Sequence, residues 1–268
     1  MPPATKRKPR TYDPKKTWDA LNGQLQAVRS LAAGLGDASL ALPSGLPGWD
    51  VRTLLAHIAR QADAVPRLLA EPAPARGTAV TDLNSWATLT SSIADRIDTE
   101  THEVVAAAPD VVAELDAVAG RLAACREEAL RADRIVPHAF GAMRALDFTV
   151  TRLVELAVHS DDLARATGVE VALNRHALAG AVRLLADALA AKAPGGAVEV
   201  RIPPYAVVQC IEGPRHTRGT PPNVVETGPL TWLRLATGRT TWGDALDAAA
   251  VSASGERADL GAVLPVLG

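Results

Sequence analysis

Apolar residues recur at helical spacing as far as residue 192, which predicts a series of helices in this part of the chain. The first helix is expected to start at Asp13-Pro14, where an N-cap residue is followed by proline at the first helical position. A second should start at Asp50, with its last turns bent by Pro66. Gly168 is expected to stop the fifth of these helices. The other helical segments are predicted at residues 82–107, 109–132, 143–166 and 174–192, with residues 137–141 as a connection.

The pattern changes after Pro194-Gly195-Gly196, where Val198, Val200 and Ile202 alternate with other residues as in a strand. Further strands are predicted at residues 205–211, 224–227 and 249–254, and short helices at residues 229–237, 241–248 and 257–266. The expected organisation is therefore mixed: a basic disordered tail, a helical domain and a small α+β domain. The predicted boundaries of these three parts are residues 1–12, 13–193 and 197–268.

Composition and charge exclude several classes of protein. Aromatic residues make up only 3% of the chain, so the core must consist of Ala, Leu and Val, which suits packed helices. No stretch has the roughly 20 apolar residues of a membrane span, and the N-terminus lacks the apolar segment of a secretory signal. Six basic residues and one acidic residue give residues 1–16 a charge of +5, which leaves −7 for the rest of a chain whose total is −2. An acidic body argues against nucleic-acid binding. Cys125 and Cys210 form no zinc motif, so we expect a reducing cytoplasm.

Two helices carry residues that bind metals in other proteins. Glu155 and His159 are four residues apart, so a helix places them on one face, at the edge of its apolar stripe. His57 lies in a similar position on the second helix. Two histidines and a carboxylate form a ligand set for Zn²⁺ with an open fourth position. By spacing alone, such a Glu–His pair is more often an ion pair at the surface or near a helix cap, and a lone histidine beside an apolar stripe is more often a hydrogen-bonded core residue.

Two motifs resemble those of a known family. In the segment Leu42–Gln61, the turn Pro47-Gly48-Trp49 leads into the helix that carries His57. In the second motif, Glu155 and His159 are followed by Asp162-Leu163. Both resemble the signatures of the mycothiol-dependent maleylpyruvate isomerase family, part of the DinB-like four-helix-bundle group, over about residues 14–192.

This resemblance implies a site and a chemistry. His57, Glu155 and His159 would bind one divalent metal ion, expected to be zinc. Asp162 would orient His159 or, alternatively, be solvated on the helix surface. Mycothiol would be the thiol cosubstrate. The reaction would be a thiol-dependent isomerisation, or transfer of the thiol to a small electrophile, with the metal favouring the thiolate.

The segment that begins at Gly228 resembles the end of a sterol-carrier-protein-like domain, but only 72 residues follow Gly196, fewer than a complete carrier needs. A large lipid tunnel is therefore not expected. Four arginines of this module are candidates to bind a carboxylate substrate, although all could instead pair with surface acids. They are Arg215, Arg218, Arg234 and Arg239.

Two other functions stay open at this point. The protein could be a non-enzymatic carrier of a lipid or acyl ligand, with the bundle as a metal-stabilised scaffold. It could also be a structural or regulatory module whose metal only stabilises the bundle. Complete metal ligands favour an enzyme, either a mycothiol-dependent isomerase or an S-transferase, whereas the sterol-carrier-like tail favours the carrier.

Overall fold

A computed structural model describes residues 10–107, 110–213 and 222–267. The chain divides into two compact units. The helical unit consists of Asp13–Asp82 and Ser92–Gly180, and the sheet unit contains Leu83–Ser91 and Ala181–Gly268 together with the N-terminal residues. Helix α9, Arg175–Lys192, runs through the division at residue 180. Residues 1–9 of the predicted tail lie outside the described part, and Arg10 Nε donates to Asp187 Oδ2 at 2.6 Å.

The helical unit is built around a four-helix bundle, as predicted. The side chain of Asp13 caps the first helix by accepting from the Lys16 amide, and Asp50 caps the third by accepting from the Thr53 amide. These caps confirm both predicted helix starts. The helices of this unit as far as residue 129 are α1 (Pro14–Ala32), α2 (Asp37–Leu40), α3 (Val51–Ala70), α5 (Ala94–Ala107), α6 (Val111–Ala124) and α7 (Arg126–Ala129).

Helix α8, Ala145–Thr167, completes the bundle and ends at Gly168 in a left-handed conformation, as expected. Helix α3 packs against α5, α6 and α8, and α1 packs against α6 and α8. The core between them is aliphatic, in keeping with the composition. Its largest fully buried side chains include Leu21, Leu25, Leu54, Leu55, Ile58, Leu115, Leu122 and Leu153.

Two predictions for the helical segments were wrong in detail. Residues 82–107 form α4 (Leu83–Leu89), a 3₁₀ turn (Thr90–Ile93) and α5 rather than one helix. The Thr90 hydroxyl donates to the Trp86 carbonyl at this break, and Ser and Thr compete in this way with the helical backbone. The helix predicted to reach residue 132 ends at Ala124, and the short helix α7 follows it.

The connection predicted at residues 137–141 is a β-hairpin. Strand β1 (Ile135–His138) pairs antiparallel with β2 (Gly141–Arg144). The hairpin is held at its side by residues 79–81, because Ala142 N donates to the Ala79 carbonyl at 3.1 Å. A strand of four residues is too short to show a clear alternating pattern, and its contact with a distant segment cannot be recognised from the local sequence.

The elements that the structure describes after α9 are β3 (Val198–Ile202), β4 (Ala206–Cys210), β5 (Val224–Thr227), α10 (Pro229–Ala236), α11 (Trp242–Asp247) and β6 (Val251–Ser254). The four described strands of this unit form one sheet with the order β4-β3-β5-β6, in which β3 pairs antiparallel with β4 and parallel with β5. All four predicted strands are confirmed.

The helix predicted at residues 257–266 is absent from the described chain, which forms turns there. Pro265 cannot donate a backbone hydrogen bond, and the amides of Val266 and Leu267 both donate to the Ala236 carbonyl. The segment therefore lies along the end of α10. No described helix has the length and apolar character needed to cross a membrane.

Candidate metal centre

The structure brings the three predicted metal ligands together inside the helical unit. His57 comes from α3, and Glu155 and His159 come from successive turns of α8, as their spacing requires. One ligand atom from each residue lies within 4.8 Å of the other two. Both histidines are buried, with 4% and 6% of their surfaces exposed.

His159 is held at both ring nitrogens. Its Nδ1 lies 3.0 Å from Asp162 Oδ2, and its Nε2 lies 3.4 Å from Glu155 Oε2. Asp162 is itself buried, so the bond is shielded from water. Asp162, which follows His159 in the family motif, therefore contacts the ring nitrogen of His159 that faces away from the cluster.

His57 is surrounded by groups from three other segments. Its Nδ1 lies 3.4 Å from Thr101 Oγ1 of α5. Its ring centroid is 4.8 Å from that of His159 and 4.9 Å from that of Trp49. Trp49 is fixed in turn, because its Nε1–H donates to Asp98 Oδ1 at 2.6 Å.

Burial and neighbouring charges set the protonation of the cluster. Burial lowers the pKa of His57 well below its usual range, and the positive charge of His159 lowers it further. Burial also opposes the charged forms of Glu155 and His159, but hydrogen bonds and neighbouring charges together outweigh it. The hydrogen bond from His159 and the charge of Arg152 lower the pKa of Glu155 to about 2. The pKa of His159 is raised, first by its hydrogen bond to Asp162 and then by its hydrogen bond to Glu155.

This donor set fits a divalent metal. Ligand atoms about 2.0–2.2 Å from a tetrahedral Zn²⁺ are roughly 3.4 Å apart. The Glu155 and His159 atoms have this separation, and the ligand atom of His57 lies within 4.8 Å of both. A carboxylate and two imidazoles leave one position for a further ligand.

A small cavity of about 10 Å³ adjoins the cluster. Its walls include the polar side chains of Gln61, Arg152, Glu155 and His159, together with apolar residues of α1, α3 and α8. This is about the space that one water molecule needs.

Two of the four predicted substrate-binding arginines lie in the part of the chain that the structure describes. Arg234 and Arg239 lie in the sheet unit, where Arg239 Nη1 donates to the Thr237 carbonyl at 2.8 Å. Arg215 and Arg218 lie outside the described residues. Substrate binding by these four residues stays a prediction.

Three residues of the site were not predicted from the sequence. Thr101 lies on a largely polar helix, and only its spacing from Ile93 and Ile97 indicated an inward face. Trp49 was part of the first family motif, but no role in the site was predicted for it. Arg152, buried with its guanidinium 4.9 Å from the Phe148 ring centroid, gave no signal beyond lying one turn before Glu155.

Comparisons with known proteins agree with this architecture. The family model described as the mycothiol maleylpyruvate isomerase N-terminal domain matches residues 21–164, and the model described as a bacterial SCP ortholog matches residues 174–266. The second match includes α9, which the sequence-based boundary at residue 193 assigned to the helical domain. Among curated proteins, none matches the sequence.

Solved structures show the same fold. The crystal structure of the mycothiol-dependent maleylpyruvate isomerase is similar with a TM-score of 0.59 at 17% identity, over 91% of this chain and 93% of that one. A histidine-to-alanine mutant of that isomerase gives a TM-score of 0.58 at 16% identity, with the same coverage. Since the first family match spans more than half of the chain, the protein belongs to the mycothiol maleylpyruvate isomerase family, and it carries a bacterial SCP-like module after that family's N-terminal domain.

Proposed function

We propose that His57, Glu155 and His159 bind one divalent metal ion, zinc, and that the protein uses mycothiol to isomerise a small electrophile or to transfer the thiol to it. The observation that carries this proposal is the convergence of the three side chains from the two helices that bear the family motifs. A metal ion bound there would lower the pKa of a thiol and so favour the nucleophilic thiolate.

The residues of the chain have distinct tasks in this site. Glu155 supplies negative charge, because its low pKa keeps it ionised. Asp162 accepts from Nδ1 of His159 and so directs Nε2 into the cluster. The burial of both histidines excludes bulk water from the ligand atoms.

The chain's own thiols are poor nucleophiles, which supports an external thiol. Burial raises the pKa of both Cys125 and Cys210 to about 11, so neither forms a thiolate readily at neutral pH. Both cysteines are free.

Mycothiol titrated into the cobalt-loaded protein tests this function. We expect a near-ultraviolet charge-transfer band as the thiolate sulfur reaches the metal, because sulfur is a soft ligand. S-methylated mycothiol, which cannot form a thiolate, is the control ligand and should give no band. Identical spectra with the two compounds would contradict thiol binding at the metal.

The contact between Asp162 and His159 gives a second prediction. Asp162→Ala should weaken zinc binding by about 10–100-fold, as is usual when a group that orients a metal-bound histidine is lost. Asp162→Asn keeps a carbonyl oxygen that can accept from His159 Nδ1, so its zinc affinity should fall less than that of Asp162→Ala. Competition with a chromogenic chelator measures all three affinities, and equal affinities would show that Asp162 does not orient the ligand.

A second candidate function follows from the match of residues 174–266 to the bacterial SCP model. In this alternative, the sheet unit binds an acyl or sterol-like ligand and the protein is a carrier. Saturable binding of a fluorescent fatty acid, unchanged when the metal is removed and accompanied by no response to mycothiol, would favour the carrier over the enzyme.

A further inference from the structure

Thr101 contacts His57 from α5, a helix whose other residues are half-buried or exposed. It is fully buried, and it is the one buried residue of α5. Its Oγ1 lies 3.4 Å from His57 Nδ1, and the same hydroxyl donates to the Ile97 carbonyl at 2.7 Å. Thr101 therefore touches a predicted metal ligand without belonging to the ligand set.

The hydroxyl's second bond fixes the direction of the first. A threonine hydroxyl has one proton and two lone pairs. That proton is donated to Ile97, so only a lone pair remains for His57, and the hydrogen bond between them requires a proton on His57 Nδ1. A neutral imidazole with its proton on Nδ1 has its free lone pair on Nε2.

We propose that Thr101 is a positioning residue that selects the Nδ1–H tautomer of His57 and so presents Nε2 as a metal ligand. Its metal-binding consequence rests on the function proposed above, whereas the tautomer itself does not. Asp162 holds His159 through the same ring nitrogen. Thr101 differs in that it orients its histidine without adding a charge to the site.

The position of Thr101 is fixed by links on both sides of it. Asp98 of α5 accepts from the Trp49 indole, whose ring packs against His57. Glu100 forms an ion pair with Arg60 of α3. These contacts tie α5 to α3 and to the turn before it, so the hydroxyl is held against the imidazole by more than its own hydrogen bond.

The test compares wild type, Thr101→Val and Thr101→Ser in the full-length protein. Valine has the shape of threonine but no acceptor, whereas serine keeps the hydroxyl. Nitrogen-15 labelling of histidine and two-bond proton correlation spectra of the metal-free protein report the tautomer of each ring. We expect His57 to carry its proton on Nδ1 in wild type and Thr101→Ser, and to shift towards the Nε2–H form in Thr101→Val.

Zinc affinity, measured by chelator competition, is the second readout. Thr101→Val should bind zinc about tenfold more weakly than wild type, which is the lower end of the effect expected when a group that orients a metal ligand is lost. The zinc affinity of Thr101→Ser should stay close to that of wild type. An Nε2–H tautomer in wild type, or identical spectra and affinities in all three proteins, would overturn the proposal. If Thr101→Val fails to fold, loss of the Nδ1–H tautomer in Thr101→Ser overturns it and retention supports it.

The two readouts separate this inference from the function it extends. Absence of zinc binding by wild type would refute the metal centre, but the metal-free spectra would still decide the role of Thr101. If wild type binds zinc tightly and the valine variant has the same affinity and the same His57 tautomer, the positioning role of Thr101 would be refuted. The metal centre itself would stand.

Discussion

Replacing His159 with alanine is expected to lower the affinity for zinc by more than about a hundredfold, beyond the loss caused by removing a residue that only orients a ligand. The substitution deletes one of three protein ligands and leaves two, fewer than a catalytic zinc site normally has. Asp162 would also lose the ring nitrogen that it contacts. Among the described residues, His57, Glu155 and His159 form the group of His, Cys, Asp and Glu side chains close enough to share an ion.

His102→Ala is the matched control for this variant. His102 also lies on a helix of the helical unit, but half of its side chain is exposed, and its Nδ1 lies 3.0 Å from its own helix's Asp98 carbonyl. Its removal should leave zinc affinity unchanged. Chelator competition measures the affinities, and circular dichroism checks the fold. Equal affinities for the His159 and His102 variants would place the metal elsewhere.

Gly255→Ala is expected to lower the free energy of unfolding by about 3 kcal/mol, within the range of severe single substitutions. Gly255 has φ of +104°, where a side chain is strained, and it follows the end of β6. A Cβ atom there would collide with the Pro222 carbonyl and lie 2.5 Å from Asn223 Oδ1.

Asn223, which would have to move, forms hydrogen bonds with residues at the start of β3. The Asn223 carbonyl accepts from the Glu199 amide at 3.0 Å, and its side chain donates to the Ala197 carbonyl at 2.9 Å. Asn223 Oδ1 also accepts from the Arg257 amide. Displacement of Asn223 would therefore break hydrogen bonds at the start of both β3 and β5.

Gly243→Ala provides the control for the glycine substitution. Gly243 lies in α11, and the nearest atom to an added Cβ would be Thr241 Oγ1 at 4.0 Å. Alanine should be neutral there or stabilise the helix by up to about 1 kcal/mol. Urea unfolding followed by circular dichroism measures both variants. A Gly255→Ala protein as stable as Gly243→Ala would show that the turn after β6 tolerates a side chain.

Local signals made the bundle and the ligand pair predictable. The caps at Asp13 and Asp50 act within one turn, and the spacing of Glu155 and His159 determines their common face without reference to any other element. The approach of His57 to that face came from family resemblance, because spacing within each helix says nothing about the distance between two helices.

The failures arose where tertiary contacts outweighed local pattern. The apolar residues of 257–266 suggested a helix, but the amides of Val266 and the following Leu267 donate to the Ala236 carbonyl at the end of α10. The hairpin at β1 and β2 depends on residues 79–81, about 60 positions earlier. Thr101 contacts His57 across 44 residues, and a threonine in a polar helix carries no sign of such a partner.

The most direct test of the metal centre is elemental analysis of the purified wild-type protein after equilibration with zinc and removal of unbound metal. The three buried ligands predict one zinc ion per chain, lost in a protein that lacks both His57 and His159. Zinc far below one per chain in wild type, or the same zinc content in the double variant, would contradict the site on which the proposed chemistry depends.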